Sequence, residues 1–433
     1  KARVWDLKET HTTCAYCGVG CTLTVGTRDN RILRIRADED RGINQGNLCV
    51  KGRYGWEYVH GRERLTSPLI KKNGSWVKAS WEEALGLVAR RFQEIKAEKG
   101  GAALAGLCSS RLTNEELYLF QKFMRGLLGT NHIDHAGGYS YAGLLALRDS
   151  LGYAGSTHSI NEIRKADVII ALRSDLSETH PVIKSEVVLA VKRRRAKLIV
   201  VNSRNIYLNK FSALNLLVKP GSEVALVNGL MQAILREGLA KEDFIQSRTE
   251  GIEGLKRSLE EYSPEKVEAA TGVGANSLLE AARLFAKATG GVILISAGQA
   301  SGKPDAALAL AASNLALLTG QVGKESCGIY ILGEKNNSQG ALDMGVTPGL
   351  LPGYADLRDA SERGRFEKAW KMSIPENPGM GALGILQAAE EGKIKGLYIA
   401  GEIPAVAYRG AGGILKVLAA VDLLVAQDCF VAE

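Results

Sequence analysis

Four cysteines near the N-terminus constrain this chain more than any other feature. Cys14, Cys17, Cys21 and Cys49 follow the spacing C-x2-C-x3-C-x27-C. Three of them lie within eight residues, so one tight loop carries them, and the fourth arrives from a distant segment. A cubane iron–sulfur cluster needs one thiolate per iron. A loop containing Gly18 and Gly20 can wrap three corners while a remote cysteine closes the fourth. Structural zinc more often uses two matched C-x2-C knuckles, so the spacing favours [4Fe–4S] over zinc. Two residues beyond Cys49 stands Lys51, read either as a surface charge or as an electron relay that tunes the cluster or bridges it to a second cofactor.

The other three cysteines, Cys108, Cys327 and Cys429, are isolated. That is a metal site plus core cysteines, not a secreted disulfide framework. With 433 residues, 45% apolar and 24% charged, the chain is globular rather than disordered or coiled-coil. It is long enough for two or three domains. No apolar run approaches the roughly 20 residues a membrane helix needs, which predicts no direct membrane span. The 55 Lys and Arg against 47 Asp and Glu leave +8. The densest basic run, Lys192-Arg193-Arg194-Arg195, reads as a solvated helix end. No basic stretch is interleaved with stacking aromatics, so no nucleic-acid module is expected. An anionic cofactor or an acidic protein partner would suit such a surface. The chain starts at Lys1 and shows no signal-peptide core. It reads as a fragment, and the implied location is cytoplasmic, alone or on the cytoplasmic side of a membrane complex.

Residues 1–62 form a small polar unit whose stretches Leu23–Val25 and Ile32–Ile35 look like hairpin strands around an Asp29-Asn30 turn. Residues 63–80 read as a connector with a tight turn at Lys72–Ser75. Ser80, with Glu83 three residues on, opens a helix that runs to Lys99. Short apolar strands then alternate with helices, which predicts an α/β fold with mostly parallel sheets. Strands are expected at 102–107, 167–172, 197–201, 216–218, 292–296, 396–400 and 423–426. Residues 320–382 read as loop-dominated. The expected domains are 1–62, 63–290 and 291–433, the last ending without a closing helix. The pairing of 166–173 with 197–202 loosely parallels that of 395–401 with 422–427.

Cys14–Cys21 and Asn44-Gln45-Gly46-Asn47-Leu48-Cys49-Val50-Lys51-Gly52-Arg53 together resemble the iron–sulfur domain of the molybdopterin oxidoreductase family. Arg64–Leu69, Ser80–Ala84, Thr113–Glu116, Gly129–Asn131, Ile160–Ile163, His180-Pro181, Asn336–Gly345 and Val425–Asp428 follow in family order. The chain is most similar to formate dehydrogenase alpha subunits and respiratory complex I G subunits. The resemblance implies a β-rich iron–sulfur domain followed by two related Rossmann-like α/β domains. These would hold a bis-pterin guanine dinucleotide with molybdenum or tungsten (bis-MGD). It also implies a C-terminal barrel-like domain that this chain does not reach.

In such a scaffold, strand ends and helix N-termini offer N–H groups to pyrophosphate. The loop around Gly221 and Ser222 opens a helix in this way. Glu402 and Asp428, at strand ends, suit guanine N–H groups, and Arg204 suits a phosphate or guanosine. The resemblance adds His180, Gly298, Asn337, Gln339, Gly340, Asp343 and Gln427 to the candidate cofactor-binding set.

Two departures bear on activity. Formate dehydrogenases of this type carry cysteine or selenocysteine as metal ligand, followed by histidine. The corresponding stretch here, Asp134–Gly143, has no cysteine, and Ser140 is the candidate in its place. They also place an arginine just before Gln-Asn-Asn, where this chain reads Gly333-Glu334-Lys335-Asn336-Asn337. No arginine lies between Arg283 and Arg358, so the bidentate carboxylate clamp is missing. The leading expectation is an iron–sulfur electron-transfer and scaffold subunit of a multi-subunit NADH-linked oxidoreductase, of NADH dehydrogenase G-subunit type, with a degenerate pterin site. The alternatives are an active molybdenum or tungsten enzyme of a formate-linked complex, and an assembly module without redox turnover.

Overall fold

The computed structural model describes residues 2–39, 41–136, 138–296, 306–403 and 413–431, the side chains of 136 and 138–140 excepted. The chain divides into two compact units, each built from two stretches of sequence: 1–54 with 139–336, and 55–138 with 337–433.

The first unit begins with a three-stranded antiparallel sheet, Lys8–Thr13, Thr22–Arg28 and Arg31–Arg36. The expected hairpin is its second half. Asp29 and Asn30 sit at φ 51° and 59°, the left-handed pair that a two-residue hairpin turn requires. The first strand, fully exposed, carries no apolar alternation and was not legible as a strand. The rest of the unit surrounds a five-stranded parallel sheet in the order Leu214–Leu217, Lys197–Asn202, Val168–Leu172, Gly291–Ser296, Gly328–Leu332. Its three central and far-edge strands, Val168–Leu172, Gly291–Ser296 and Gly328–Leu332, are buried at every position. Covered on both faces, they have no reason to alternate, and Val168–Leu172 and Gly291–Ser296 read as continuous apolar runs for that reason.

The second unit is built on a four-stranded parallel sheet, Leu423–Gln427, Gly396–Ala400, Leu104–Ser109, Ile133–Ala136. Leu104, Leu117, Met124 and Ile133 fill one side and Leu107, Ile385 and Leu397 the other. Helix Trp81–Lys99 starts where expected, with Ser80 Oγ accepting from Glu83 N at 3.0 Å. Helix Asn114–Lys122 carries a reciprocal capping box between Thr113 and Glu116, and then widens into a π-helical stretch, Phe123–Leu128. The segment expected as a connector contains a hairpin, Leu69–Lys72 with Ser75–Lys78.

Strand Gly291–Ser296 pairs with Val168–Leu172, and Gly396–Ala400 pairs with Leu104–Ser109. The expected boundary at 290 therefore falls between two adjacent strands of one sheet, and each unit is completed by chain that returns from the other side of it. The expected loop region 320–382 in fact supplies a buried strand, Gly328–Leu332, and helices Ser338–Asp343 and Ala360–Trp370. Of the isolated cysteines, Cys108 and Cys327 are buried core residues, whereas Cys429 is only half-buried; all three are free thiols. Among the described residues, no helix is long and apolar enough to cross a membrane.

Candidate functional site

Cys14, Cys17, Cys21 and Cys49 line one cavity in the first unit, with Lys51, Gly52, Thr179, Pro181 and Val182. The backbone builds this convergence. Cys14 N donates to Cys21 O at 2.8 Å, closing the loop on itself, and Gly20, at φ 63°, turns back so that its N–H reaches Cys17 O. Gly18 N donates to Gly333 O at 3.1 Å, and a Cβ on Gly18 would stand 2.4 Å from that oxygen. Only glycine fits there.

The Cys49 segment is tied to the same loop by Asn44, which is 1% exposed. Its Oδ1 accepts from Thr22 N at 2.8 Å, and its Nδ2 donates to Thr22 O and Asn47 O. The sequence offered Asn44 as part of a motif but not as this clasp. Cys49 then leads into the short helix Val50–Tyr54, where Gly52 leaves room beside Cys14: a Cβ there would lie 3.6 Å from Cys14 Sγ.

Burial pushes the Cys14 and Cys17 thiols up and the Cys21 thiol up to about 12, with the neighbouring cysteines adding repulsion. Several thiolates in one dry pocket need a cationic group to hold them ionised. Among the described residues, no group of three or more His, Cys, Asp or Glu is placed to hold a single metal ion. Tetrahedral zinc requires four sulfurs converging at about 2.3 Å. A cubane carries an iron out to each sulfur, and this donor set fits it.

Lys51 is the cation of the cavity, close enough to lower the Cys17 thiol and to disfavour protonation of His180. His180 is 1% exposed, and burial takes it down to about 4. Its Nε2 donates to Gly333 O at 2.8 Å, so Gly333 O receives both the cysteine loop and this ring.

His180 Nδ1 has no partner among the described residues, and neither do Asp175 Oδ1, Ser177 Oγ, Ser296 Oγ and Asn336 Oδ1. All five residues follow or end strands Val168–Leu172, Gly291–Ser296 and Gly328–Leu332 at their carboxyl ends. Buried polar atoms are normally satisfied. A row left open at the carboxyl edge of a parallel sheet is where such folds take dinucleotides, and it fits a polar pterin dinucleotide. Sequence reading reached only His180 of the five. Asn336 lies in the family stretch 336–345 without being singled out there, and Asp175, Ser177 and Ser296 have no motif signal apart from ending or following apolar strands.

The remaining candidates divide by what they already bond. Arg204 donates to Asp175 Oδ2 at 2.8 Å on that same edge. Gly221, at φ 84°, precedes helix Glu223–Arg236, but Ser222 Oγ donates to Lys219 O rather than capping the helix. In the second unit, Glu402 and Asp428 follow neighbouring parallel strands, and Gln427 Oε1 accepts from Tyr398 Oη at 2.5 Å. Asp428 Oδ1 accepts from Cys429 N. Asn337 is engaged within the fold: its Nδ2 donates to Leu112 O and Asn114 Oδ1, and its N to Ser110 O. Gly340 has no space for a Cβ, which would meet Asn114 Oδ1 and Asn337 Oδ1 at 2.2 Å. Gln339 Nε2 donates to Asp343 Oδ1 and Tyr354 Oη, and Tyr354 donates to Asp343. Ser140 falls in helix Gly138–Leu151, among the residues whose side chains are not described, and Gly298 lies outside the described residues.

Residues 7–61 match the family model for the molybdopterin oxidoreductase Fe4S4 domain, and residues 64–433 that for molybdopterin oxidoreductase. The F420-dependent formate dehydrogenase subunit alpha of Methanocaldococcus jannaschii is 37% identical over 432 residues, covering 99% of this chain and 62% of that protein. The NADPH-Fe(3+) oxidoreductase subunit alpha of Geobacter sulfurreducens is 34% identical over 435 residues, 100% of this chain and 50% of its own length. The chain thus spans about half the length of curated relatives it matches. Acetylene hydratase from Pelobacter acetylenicus shares the fold at a TM-score of 0.75 and 20% identity, over 98% of this chain and 61% of that one. From the cysteine loop to the last strand, this chain belongs to the molybdopterin oxidoreductase family, with an Fe4S4 domain at its N-terminal end.

Proposed function

We propose that this chain is the iron–sulfur electron-transfer subunit of a multi-subunit, nicotinamide-linked oxidoreductase, of NADH dehydrogenase G-subunit type. Cys14, Cys17, Cys21 and Cys49 are its cluster ligands. The observation that carries this reading is the convergence of four cysteines from two segments on one cavity beside Lys51. A bound [4Fe–4S] cluster supplies one-electron chemistry. The protein's own part is to fix the thiolates, to exclude water and to place a positive charge beside an anionic centre. Pro181 and Val182 wall the cavity. Lys51 stabilises added negative charge, which favours the reduced cluster. A relative named as an NADPH-linked alpha subunit supports both the nicotinamide link and partner subunits.

Relatives named as formate dehydrogenase alpha subunits favour a second reading, an active molybdenum or tungsten formate enzyme. If a pterin dinucleotide is held, Asp175, Ser177, His180 and Arg204 are the residues of the first unit that would face its polar groups. Against formate oxidation stand the missing cysteine in 134–143 and the missing arginine between Arg283 and Arg358. Without a guanidinium, a small carboxylate loses its bidentate partner. Metal and pterin analysis of the full-length protein, purified without oxygen, separates the readings. Iron without molybdenum or tungsten supports the first. Near-stoichiometric molybdenum or tungsten with formate-dependent dye reduction supports the second. A cluster that never changes oxidation state during NADH turnover with its partners contradicts both and leaves an assembly role.

A further inference from the structure

Helix Pro181–Arg194 starts at the cysteine cavity, which Thr179, Pro181 and Val182 line, and runs into the basic series Lys192-Arg193-Arg194-Arg195. The sequence shows that series with no aromatic neighbours, but the fold supplies them. The turn Tyr207–Phe211 packs against the helix, its two rings 5.7 Å apart. Lys184 Nζ lies 5.5 Å and Lys210 Nζ 4.9 Å from the centre of the Tyr207 ring, and Lys192 Nζ lies 5.4 Å from that of Phe211. Lys184 and Lys192, eight residues apart, share one helix face.

Among the described residues, none of these three lysines and none of Arg193, Arg194 and Arg195 has a carboxylate within 4.0 Å. The carboxylates of neighbouring elements are occupied: Glu186, 2% exposed, by Arg164; Asp175 by Arg204; Glu162 by Lys165. Glu178, at the cavity end of the helix, is an exposed acidic residue beside it.

We propose that this lysine-capped aromatic face docks an acidic protein that exchanges single electrons with the cluster, a proposal that rests on the electron-transfer reading above. Six cations without counter-charges give the complementarity that steers an acidic partner and holds its register. The ammonium groups are already placed over rings, so less side-chain freedom is lost on docking. Nucleic acid is a poorer fit, because base stacking needs an open ring face and here lysines lie over both rings. A membrane surface is also a poorer fit, since the helix's apolar residues Val182, Ile183, Val187 and Ala190 are buried in the fold. Lys184 stands three residues from Pro181, about 5 Å along the axis, so a partner seated on it lies beside the cluster cavity. In the exchange one electron moves between the cluster and the partner's one-electron centre, and no bond forms or breaks.

The test uses the full-length protein, purified without oxygen, with a plant-type [2Fe–2S] ferredoxin as acidic probe and cytochrome c as basic probe. The triple variant Lys184→Glu/Lys192→Glu/Lys210→Glu should bind ferredoxin at least about tenfold more weakly at low salt, with a flattened salt dependence, and should gain cytochrome c binding. The neutral Lys→Gln triple should fall between it and the wild type. Lys241→Glu/Lys256→Glu/Lys266→Glu, in or just before helices Glu242–Arg248, Ile252–Leu259 and Pro264–Thr271, should bind ferredoxin as the wild type does. The reduced-cluster EPR signal should be the same in all of them. Equal ferredoxin binding by the two glutamate triples overturns the proposal, as does tighter, lysine-dependent binding of a single-stranded oligonucleotide or of phosphatidylserine vesicles. A wild type without iron that still binds ferredoxin through these lysines refutes the electron-transfer reading and leaves only the docking face.

Discussion

Arg125 shows how much one residue can hold together. It is fully buried, and among the described residues no carboxylate pairs with it. Nη1 donates to Asn131 Oδ1 at 2.6 Å, and Nη2 to the carbonyls of Gly345, Thr347 and Leu350. Burial lowers its pKa to about 9, so it remains charged at neutral pH and the carbonyl dipoles take the place of a counter-ion. Arg125→Met would strand those acceptors in the core and should cost about 3–5 kcal/mol, read by urea denaturation. Arg125→Lys should recover only part of this, because an ammonium cannot reproduce the fork. Asp134 is a second buried titratable group in the same unit. Its oxygens accept from His135 N and Ala382 N at 2.8 Å, yet burial raises it to about 7. The folded state therefore holds a proton that the unfolded chain releases near pH 4. The Asp134 contribution to stability should be fully present below about pH 4, fall as pH rises to about 7, and level off above, by up to about 4 kcal/mol. Asp134→Asn should flatten that slope in denaturation curves taken across this range.

At the scale of the element, the cysteine loop separates two uses of glycine. Gly18 faces Gly333 O with no room for a methyl group, whereas Gly20 has a positive φ and nothing within 4 Å of its missing Cβ. Gly18→Ala should shift the loop and lower the iron bound per chain. Gly20→Asn, which tolerates the left-handed region, should keep it. Iron analysis and EPR of the two variants check the contrast. Elements whose signal is local were legible in the sequence: the Asp29-Asn30 turn, the Ser80 cap and the apolar strands. Gly328–Leu332 was hidden because its four apolar residues sit within a Gly-, Asn- and Pro-rich stretch and the surrounding composition outweighed them. The π-helical stretch Phe123–Leu128 was hidden for another reason. It carries Arg125, whose acceptors at 345–350 lie some 220 residues away in sequence, and no local pattern encodes that demand.

For the whole molecule, the sequence disclosed the fold class and the cysteine set but not the way the chain is shared between units. A βα rhythm reports that strands are parallel, not which strands are neighbours. The pairings of 168–172 with 291–296 and of 104–109 with 396–400 are long-range and leave no trace in periodicity. For the same reason the open polar atoms at the carboxyl edge of the five-stranded sheet emerged only once the strands were in register. At this scale the structure is the family fold with four cysteines converging on one cavity, in a chain with no cysteine in 134–143 and no arginine between Arg283 and Arg358. The most direct measurement is metal analysis of the anaerobically purified full-length protein, combined with EPR and a formate-driven dye assay. About four iron atoms per chain, a signal that appears on reduction, and neither molybdenum nor formate turnover would be the expected result. Stoichiometric molybdenum or tungsten together with sustained reduction of the dye by formate would contradict it.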